Sequence, residues 1–381
     1  MSIFDHIFFF TLLFSVFFAI TRIRQRNLNK NYWNYLLLPI ILYFIIVGCR
    51  YGWGNDYLWY KFRIENPNAY AEEEIGFKLI NLLFKWLGIN YVGVYMIYSF
   101  IFILSGLILI KDYKANKYMI ALFLPATLIL ATSTIRQSLS TSFIFLTLHF
   151  LYKNKWKYAI LTTGICLSIH GGNLIVLIPI LASLFISKYF SQKLLPWKIT
   201  IPIYILFAIA AEIFNKYTFM GINDIISSIS LDNRYQSYID NSAFWFSQEG
   251  SESKYEQGTL TLILSMLFHI SIIYLCYNYI QKSSRKTNHI TYLYNCIVIS
   301  LLLLRLFFTY EILRRIAETI FQFYFVPLGY SLYMYFHTNI IKQQFTKTFC
   351  NISVSCIIIY IILFYGRFIL QSPSYKFVWN I

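Results

Sequence analysis

The sequence predicts an all-α fold, a polytopic bundle of transmembrane helices with about twelve spans. Of its 381 residues, 58% are hydrophobic and only 13% are charged, whereas an ordinary soluble domain carries about 25% charged residues. Apolar segments also recur along nearly the whole chain, with short loops between them. These loops leave no room for a soluble domain, so we expect residues 1–381 to form a single integral membrane domain.

Each predicted span is an apolar run of roughly 15 to 22 residues. Basic residues follow the first run and no small-residue cleavage site is present, so we interpret it as a retained span and not a signal peptide. Two polar interruptions, TSTIRQ and IHGGN, could be re-entrant breaks rather than full turns. The predicted spans cover residues 3–21, 33–48, 90–110, 118–133, 137–152, 157–170, 172–187, 199–215, 259–280, 290–309, 319–338 and 349–366.

Two further segments are distinctive. Residues 74–88 are too short to span, but their apolar side chains share one helical face, which predicts a helix lying in the membrane interface. That face comprises Ile75, Leu79, Leu82 and Trp86, with Lys78, Asn81 and Lys85 opposite. The longest loop, about 216–258, is rich in aromatic residues such as Tyr235, Tyr238, Trp245 and Phe246; it is either a lid over a substrate or a loose connector.

The loop charges set the predicted orientation. Alternate loops are basic, which places them in the cytoplasm and both termini outside. Lysines follow this rule, with about 14 inside and 6 outside, whereas arginines reverse it, with about 4 inside and 8 outside. Arginine differs from lysine in its planar fork of donors, which suits phosphate and carboxylate groups. The reversal therefore favours an anion-binding role at the outer side.

Arg136 and Arg305 interrupt apolar runs. Arg305 lies roughly 22 Å from the inner end of its predicted helix, at 1.5 Å per residue. A guanidinium in hydrocarbon costs at least about 2.5 kcal/mol, so we expect both residues to face a watery cavity or a bound anion. The alternative is that they extend to the outer headgroups.

Three further groups are candidates. In RYGWGNDY, the glycines would turn the chain sharply and place Arg50 and Asp56 at the membrane edge, although a simple exit turn explains them too. His170 lies at the end of a predicted helix, just before Gly171 and Gly172. It is either a general base or a capping group. In EILRRIAE, Glu311, Arg314, Arg315 and Glu318 form either an anion clamp or a surface salt-bridge ladder.

Neither a metal site nor a cofactor is predicted. The six cysteines lie mostly inside apolar runs without CxxC pairing, and the chain has no HExxH or nucleotide-binding glycine loop in a suitable context. The net charge of +16 is divided among the loops. We therefore interpret it against the bilayer, with no nucleic-acid partner.

Several motifs together resemble one family. GCRYGWGNDYLWY followed by EIGFKLIN resembles the opening of the EpsG family of Wzy-type bacterial polysaccharide polymerases. Asn55 stands where that family usually has threonine, and Ile75 where it has proline. The resemblance continues in order through TSTIRQSLS, SIHGGNLIVLIP, DNRYQSYI and LRRIAETIFQFYFVP, so it covers most of the chain.

The resemblance implies an enzyme that joins oligosaccharide repeat units carried on undecaprenyl diphosphate, at the outer side of the bacterial plasma membrane, for O-antigen, capsule or exopolysaccharide. Its partners would be the lipid-linked oligosaccharide, the bilayer, and a chain-length regulator or other assembly proteins. His170 is then the leading base, with Asp56 and Glu311 as alternatives. The substrate-binding candidates are Arg50, Arg136, Arg234, Arg305, Arg314, Arg315, Tyr57 and Gln137.

Two alternatives stay open. One is a membrane glycosyltransferase that takes single sugars from a polyprenyl phosphate, with Asp56 and Glu72 to Glu74 as its acidic candidates. The other is a non-enzymatic flippase for lipid-linked glycans. A flippase should carry basic residues along its transit path, whereas the middle and inner halves of these spans are almost free of charge.

Overall fold

The computed structural model describes residues 2–53, 56–69, 74–174, 176–177, 180, 193–214, 259–283, 288–308, 311–370 and 376–380. The described residues are mostly helical, with one two-stranded antiparallel sheet, which confirms the predicted all-α class. They include six helices long and apolar enough to cross a membrane: Phe4–Arg22, Tyr91–Ile110, Asn116–Ser133, Thr259–Lys282, Asn288–Leu306 and Gln344–Phe368. The chain is a multi-pass membrane protein, and the count of about twelve spans stays a prediction.

The helices are numbered in chain order. They are α1 (Ser2–Ala19), α2 (Gln25–Lys30), α3 (Tyr32–Gly48), α4 (Tyr57–Glu65), α5 (Ile75–Trp86), α6 (Tyr91–Ile110), α7 (Asn116–Ser133), α8 (Ile135–Tyr152), α9 (Trp156–Ile169), α10 (Trp197–Phe214), α11 (Thr259–Lys282), α12 (Asn288–Leu306), α13 (Glu311–Phe321), α14 (Phe325–His337) and α15 (Gln344–Leu370). The strands are β1 (Arg50–Tyr51) and β2 (Lys376–Phe377).

The predicted span 319–338 is wrong as a single helix. Helix α13 ends at Phe321, a 3-10 turn covers Gln322–Tyr324, and α14 begins at Phe325. Pro327 therefore lies in the first turn of α14, where its missing N–H group breaks no helical hydrogen bond. The predicted span 172–187 lies mostly outside the described residues, and the predicted lid 216–258 lies entirely outside them.

Helix α5 occupies the predicted interfacial segment, with one correction. Ile75, Leu79 and Trp86 are exposed, as expected for a face that meets lipid. Asn81, predicted on the polar face, is instead fully buried and accepts a hydrogen bond from the Tyr98 hydroxyl at 2.6 Å. The hydrogen bond removes the cost of burying the amide oxygen, and it ties α5 to α6.

The chain divides into two compact units. The first comprises Met1–Ile178, Phe325–Thr338 and Ile361–Ile381. Its centre is an aromatic cluster in which Phe102, Phe123, Phe145 and Phe325 lie with ring centroids 5.3 to 6.1 Å apart, so that α6, α7, α8 and α14 share one core. At its edge β1 pairs antiparallel with β2, with Arg50 opposite Phe377.

The second unit comprises Pro179–Tyr324 and Asn339–Tyr360. Buried polar side chains connect its parts. Asn295 of α12 accepts from Leu195 N and donates to Lys193 O, both at 2.9 Å, and so fixes the segment before α10. The Ser300 hydroxyl donates to Ala317 O at 2.5 Å, which joins α12 to α13.

Candidate functional site

Glu74 is the centre of the candidate site in the first unit. It immediately precedes α5, but its side chain does not cap that helix. Oε2 instead accepts a hydrogen bond from Arg136 Nη1, in the first turn of α8. Both side chains are 18% exposed. The dipole of a helix opposes a cation in its first turn, so α8 itself gains nothing from Arg136 there, and the pairing with Glu74 accounts for its position.

His170 approaches the other oxygen of the same carboxylate. It directly follows α9, and its Nδ1 lies 3.6 Å from Glu74 Oε1. Burial raises the pKa of the Glu74 carboxyl, but the interactions with His170 and Arg136 outweigh it and lower this pKa to about 2. Glu74 is therefore ionised at physiological pH, and its Oε1 faces the Nδ1 edge of the His170 ring.

Gly76 allows the close packing that brings these residues together. A Cβ atom at position 76 would lie 2.8 Å from the Ser168 carbonyl oxygen, closer than such atoms can approach. The first turn of α5 therefore rests directly on the last turn of α9. Because Glu74 and His170 flank this contact, only a residue without a side chain at position 76 lets them meet.

Buried hydrogen bonds to α8 and α9 hold the turn that follows His170. Asn173 is 1% exposed, and its Nδ2 donates to Ser140 Oγ of α8 at 2.7 Å. The Ser140 hydroxyl in turn donates to Cys166 O at 2.7 Å, in the last turn of α9. This chain of buried hydrogen bonds fixes the His170 turn against the helix that carries Arg136.

The Nε2 edge of His170 faces the side-chain position of Gly172. A Cβ atom at position 172 would lie 3.1 Å from Nε2. Neither ring nitrogen has a hydrogen-bond partner within 3.5 Å among the described residues; Nδ1 is buried and lies 3.6 Å from Glu74 Oε1. A carboxylate beside one ring nitrogen, with the other nitrogen not hydrogen-bonded by any described residue, is an arrangement that suits a general base.

Sequence reasoning did not include Glu74 among the site residues. It appeared only in the alternative glycosyltransferase and in the EIGF motif, because the run of three glutamates, Glu72 to Glu74, does not show which carboxylate is used. The signal was present in the motif itself: Glu74 and Gly76 stand two residues apart, and the structure uses both.

Asp56, predicted as a base or a sugar ligand, is half-buried at the start of α4. It lies close enough to Tyr60 to act on its ionisation. The pKa of Tyr60 is raised to about 12, chiefly by burial; Asp56 and Glu74 also raise it, and Arg136 and Arg63 lower it. Tyr60 therefore lies within reach of the charges of both Asp56 and the Glu74 site.

Arg50 is buried beside the small sheet, 2% exposed. Its Nη1 donates to Val47 O at the end of α3, and its guanidinium carbon lies 5.5 Å from the Tyr95 ring centre. Burial lowers the pKa of Arg50, and the neighbouring tyrosine hydroxyls oppose that change. Tyr57 is also buried, and its carbonyl accepts from the Tyr95 hydroxyl at 2.9 Å. These contacts stabilise the first unit, and substrate binding by Arg50 and Tyr57 stays a prediction.

Arg305 lies in the second unit, at the end of α12, and is 5% exposed. Its Nε donates to the Tyr204 hydroxyl at 3.2 Å and its Nη2 to Ser265 Oγ at 3.4 Å. The Tyr204 hydroxyl also lies 2.8 Å from Nδ1 of His269, a residue that sequence reasoning did not single out. No carboxylate pairs with Arg305 among the described side chains.

The remaining predicted residues are less closely grouped. Arg314 is 8% exposed and pairs with Glu318 on α13, with Nε 3.2 Å from Oε1; this is one pair of the alternative ladder, although Arg314 is not a surface residue. Arg315 is half-buried on the same helix, and Gln137 is half-buried beside Arg136. Glu311 begins α13, but its side chain lies outside the described part, as does the whole of Arg234. The described residues contain no group of three histidine, cysteine, aspartate or glutamate side chains placed to hold a metal ion.

Comparisons with known proteins give the family. The family model of EpsG matches residues 33–380, nearly the whole chain. The search of curated proteins and the search of solved structures each returned no match. The match includes Glu74, Arg136 and His170 as well as the second unit. The chain therefore belongs to the EpsG family, a family of Wzy-like polysaccharide polymerases.

Proposed function

We propose that the protein joins oligosaccharide repeat units carried on undecaprenyl diphosphate, at the outer face of a bacterial plasma membrane. Family membership gives the general activity, a polysaccharide polymerase. The observation that carries the finer proposal is the bridging carboxylate of Glu74, which pairs with Arg136 through one oxygen and approaches His170 through the other. This arrangement supplies a general base and an anion-binding group side by side.

In the proposed reaction a hydroxyl of the acceptor unit attacks the anomeric carbon of the donor unit. His170 Nε2 removes the hydroxyl proton as the new carbon–oxygen bond forms. The bond from the anomeric carbon to the lipid diphosphate breaks, and the diphosphate leaves with the bonding electrons. Glu74 orients the ring through Nδ1 and stabilises the imidazolium that forms. With its pKa near 2, Glu74 is itself too weak a base to take the proton.

In this proposal Arg136 binds both Glu74 and the diphosphate. One of its nitrogens is occupied by Glu74, but Nε and Nη2 have no hydrogen-bond partner among the described residues. A guanidinium carries five donors in a rigid fork, so Arg136 can hold Glu74 and still donate to a phosphate oxygen. Lysine, with a single point of charge, cannot serve two partners in the same fixed geometry.

A strain lacking the protein tests this proposal by where its lipid-linked intermediates gather. We expect single repeat units on the lipid carrier to accumulate at the outer face, accessible to an impermeant glycan-modifying enzyme. Accumulation at the cytoplasmic face would overturn the proposal and favour the flippase alternative. The matched strain carries the wild-type gene in place and should show long chains and little intermediate.

A further inference from the structure

The Arg305 cluster of the second unit has an unusual charge balance. Arg305, Tyr204 and His269 are each at most 7% exposed and lie on three different helices, α12, α10 and α11. Among the described side chains the guanidinium meets only the hydroxyls of Tyr204 and Ser265 and the rings of Tyr204 and Phe308. A buried cation is costly inside a membrane unless an anion neutralises it. A phosphate oxygen bound to the guanidinium would supply that negative charge.

Donor chemistry fixes the direction of the first hydrogen bond in the Arg305 cluster. Arginine can only donate, so the Tyr204 oxygen must accept from Arg305 Nε. The Tyr204 oxygen also lies 2.8 Å from His269 Nδ1, and the tautomer of His269 decides which of the two atoms donates. When Tyr204 donates, His269 Nδ1 accepts and the neutral ring carries its proton on Nε2.

The ring of His269 is held in place by its surroundings. It packs edge-on against Phe321 with ring centres 5.0 Å apart, and it lies nearly perpendicular to the Tyr204 ring at 5.9 Å. Ser265 stands four residues before His269 on α11, on the same helical face, and receives Arg305 Nη2 at 3.4 Å. The hydrogen bonds of Nε and Nη2 therefore fix the orientation of the Arg305 guanidinium. Nη1 has no hydrogen-bond partner among the described residues.

We propose that Tyr204 and His269 are positioning residues that hold Arg305 as a receptor for the phosphate oxygens of an anionic polyprenyl lipid. Neither contacts the lipid; each sets the angle at which Arg305 presents Nη1. The polyprenyl identity of the ligand rests on the proposed function, whereas the positioning role rests on the hydrogen-bond chain alone. The chemistry that Arg305 recognises, a phosphate oxygen, is common to a lipid carrier and to free diphosphate.

Binding measurements on the purified full-length protein in detergent test the proposal. The probes are farnesyl diphosphate, farnesol and inorganic diphosphate. We expect farnesyl diphosphate to bind wild-type protein, and Tyr204→Phe and His269→Leu to weaken this binding at least tenfold. His269→Asn should recover most of the loss, because its amide oxygen can accept near the former Nδ1 position. Tyr292→Phe is the matched control, since it also removes a buried tyrosine hydroxyl, one that donates to Ile180 O, and it should bind as wild type does.

The outcomes separate this inference from the proposed function. Unchanged farnesyl diphosphate binding in Tyr204→Phe and His269→Leu would overturn the positioning role, whether or not the protein polymerises. Equal binding of inorganic and farnesyl diphosphate would overturn the lipid as ligand. If farnesyl diphosphate binding depends on Tyr204 but the protein makes no polymer, the positioning role is supported and the proposed function is wrong. The pH profile of binding should be the same for wild type and His269→Asn between pH 6 and 8, since a neutral positioning ring does not titrate with the ligand; a change would contradict it.

Discussion

Replacing Glu74 by glutamine should remove polymer synthesis and weaken the first unit. Glutamine keeps the size of the side chain but loses the charge that holds Arg136 and His170. The carboxyl pKa falls from its usual 4.5 to about 2 in the folded protein. At about 1.4 kcal/mol per pH unit this difference corresponds to roughly 3 kcal/mol in favour of the ionised form. Both partners keep some solvent contact, so we expect a stability loss of about 1 to 3 kcal/mol.

The activity should fall further than the stability. General bases contribute about 10²- to 10⁴-fold to rate, and an unoriented His170 loses most of that. The assay is the chain-length ladder from membranes with equal protein levels, together with the apparent melting temperature of the purified protein. The matched control is Asp112→Asn, which removes the carboxylate paired with Lys153 at 2.9 Å where both side chains are over a third exposed. It should cost about 0 to 1 kcal/mol and leave the ladder unchanged. A normal ladder from Glu74→Gln would refute the reasoning.

The lowered pKa also gives this prediction a pH dependence. A carboxyl whose folded-state pKa is depressed adds stability above its unfolded pKa, and that stability is lost as pH falls through the folded pKa. The wild-type advantage over Glu74→Gln should therefore be complete above about pH 4.5 and shrink toward about pH 2. Melting temperatures of the two proteins should converge over this range, and a constant difference would contradict the ion pair.

Three further substitutions test the rest of the account. Gly172→Ala, which places a Cβ atom 3.1 Å from His170 Nε2, should lower polymerisation at least tenfold with little change in melting temperature; an unchanged rate would show that the Nε2 edge is not used. Gly76→Ala, with its Cβ atom 2.8 Å from Ser168 O, should lower both stability and activity, measured by melting and by the ladder, and normal values for both would contradict the contact between α5 and α9. Arg305→Lys should abolish long chains at an unchanged protein level because lysine lacks the fork, and a normal ladder would remove Arg305 from the account.

The periodic and compositional features of the fold were predictable from the sequence. The apolar runs at Tyr91–Ile110, Asn116–Ser133 and Thr259–Lys282 became helices within a few residues of the predicted bounds. Their length and hydropathy are local properties, so the sequence alone determines them. The 3-10 break before Phe325 was not predicted, because a proline such as Pro327 is compatible both with a kink inside one helix and with the first turn of a new helix.

The site was predictable only in part, because its contacts are long-range. Arg136 and His170 stood out as polar residues at helix ends in apolar surroundings. Their common partner, Glu74, did not: the EIGF motif marks its place before Gly76, but a pairing over 62 residues is not visible in that local spacing. His269 was hidden for a similar reason: inside an apolar helix it looks like a core residue until Tyr204 and Arg305 are placed beside it.

The most direct test of the central claim is the stoichiometry of the reaction in proteoliposomes. Purified wild-type protein and Glu74→Gln would each receive repeat units linked to undecaprenyl diphosphate, and both glycan length and released lipid would be measured. We expect the wild type to release one undecaprenyl diphosphate for each glycosidic bond formed, and the variant to give neither product. Released undecaprenyl monophosphate, or lipid released without chain growth, would contradict it.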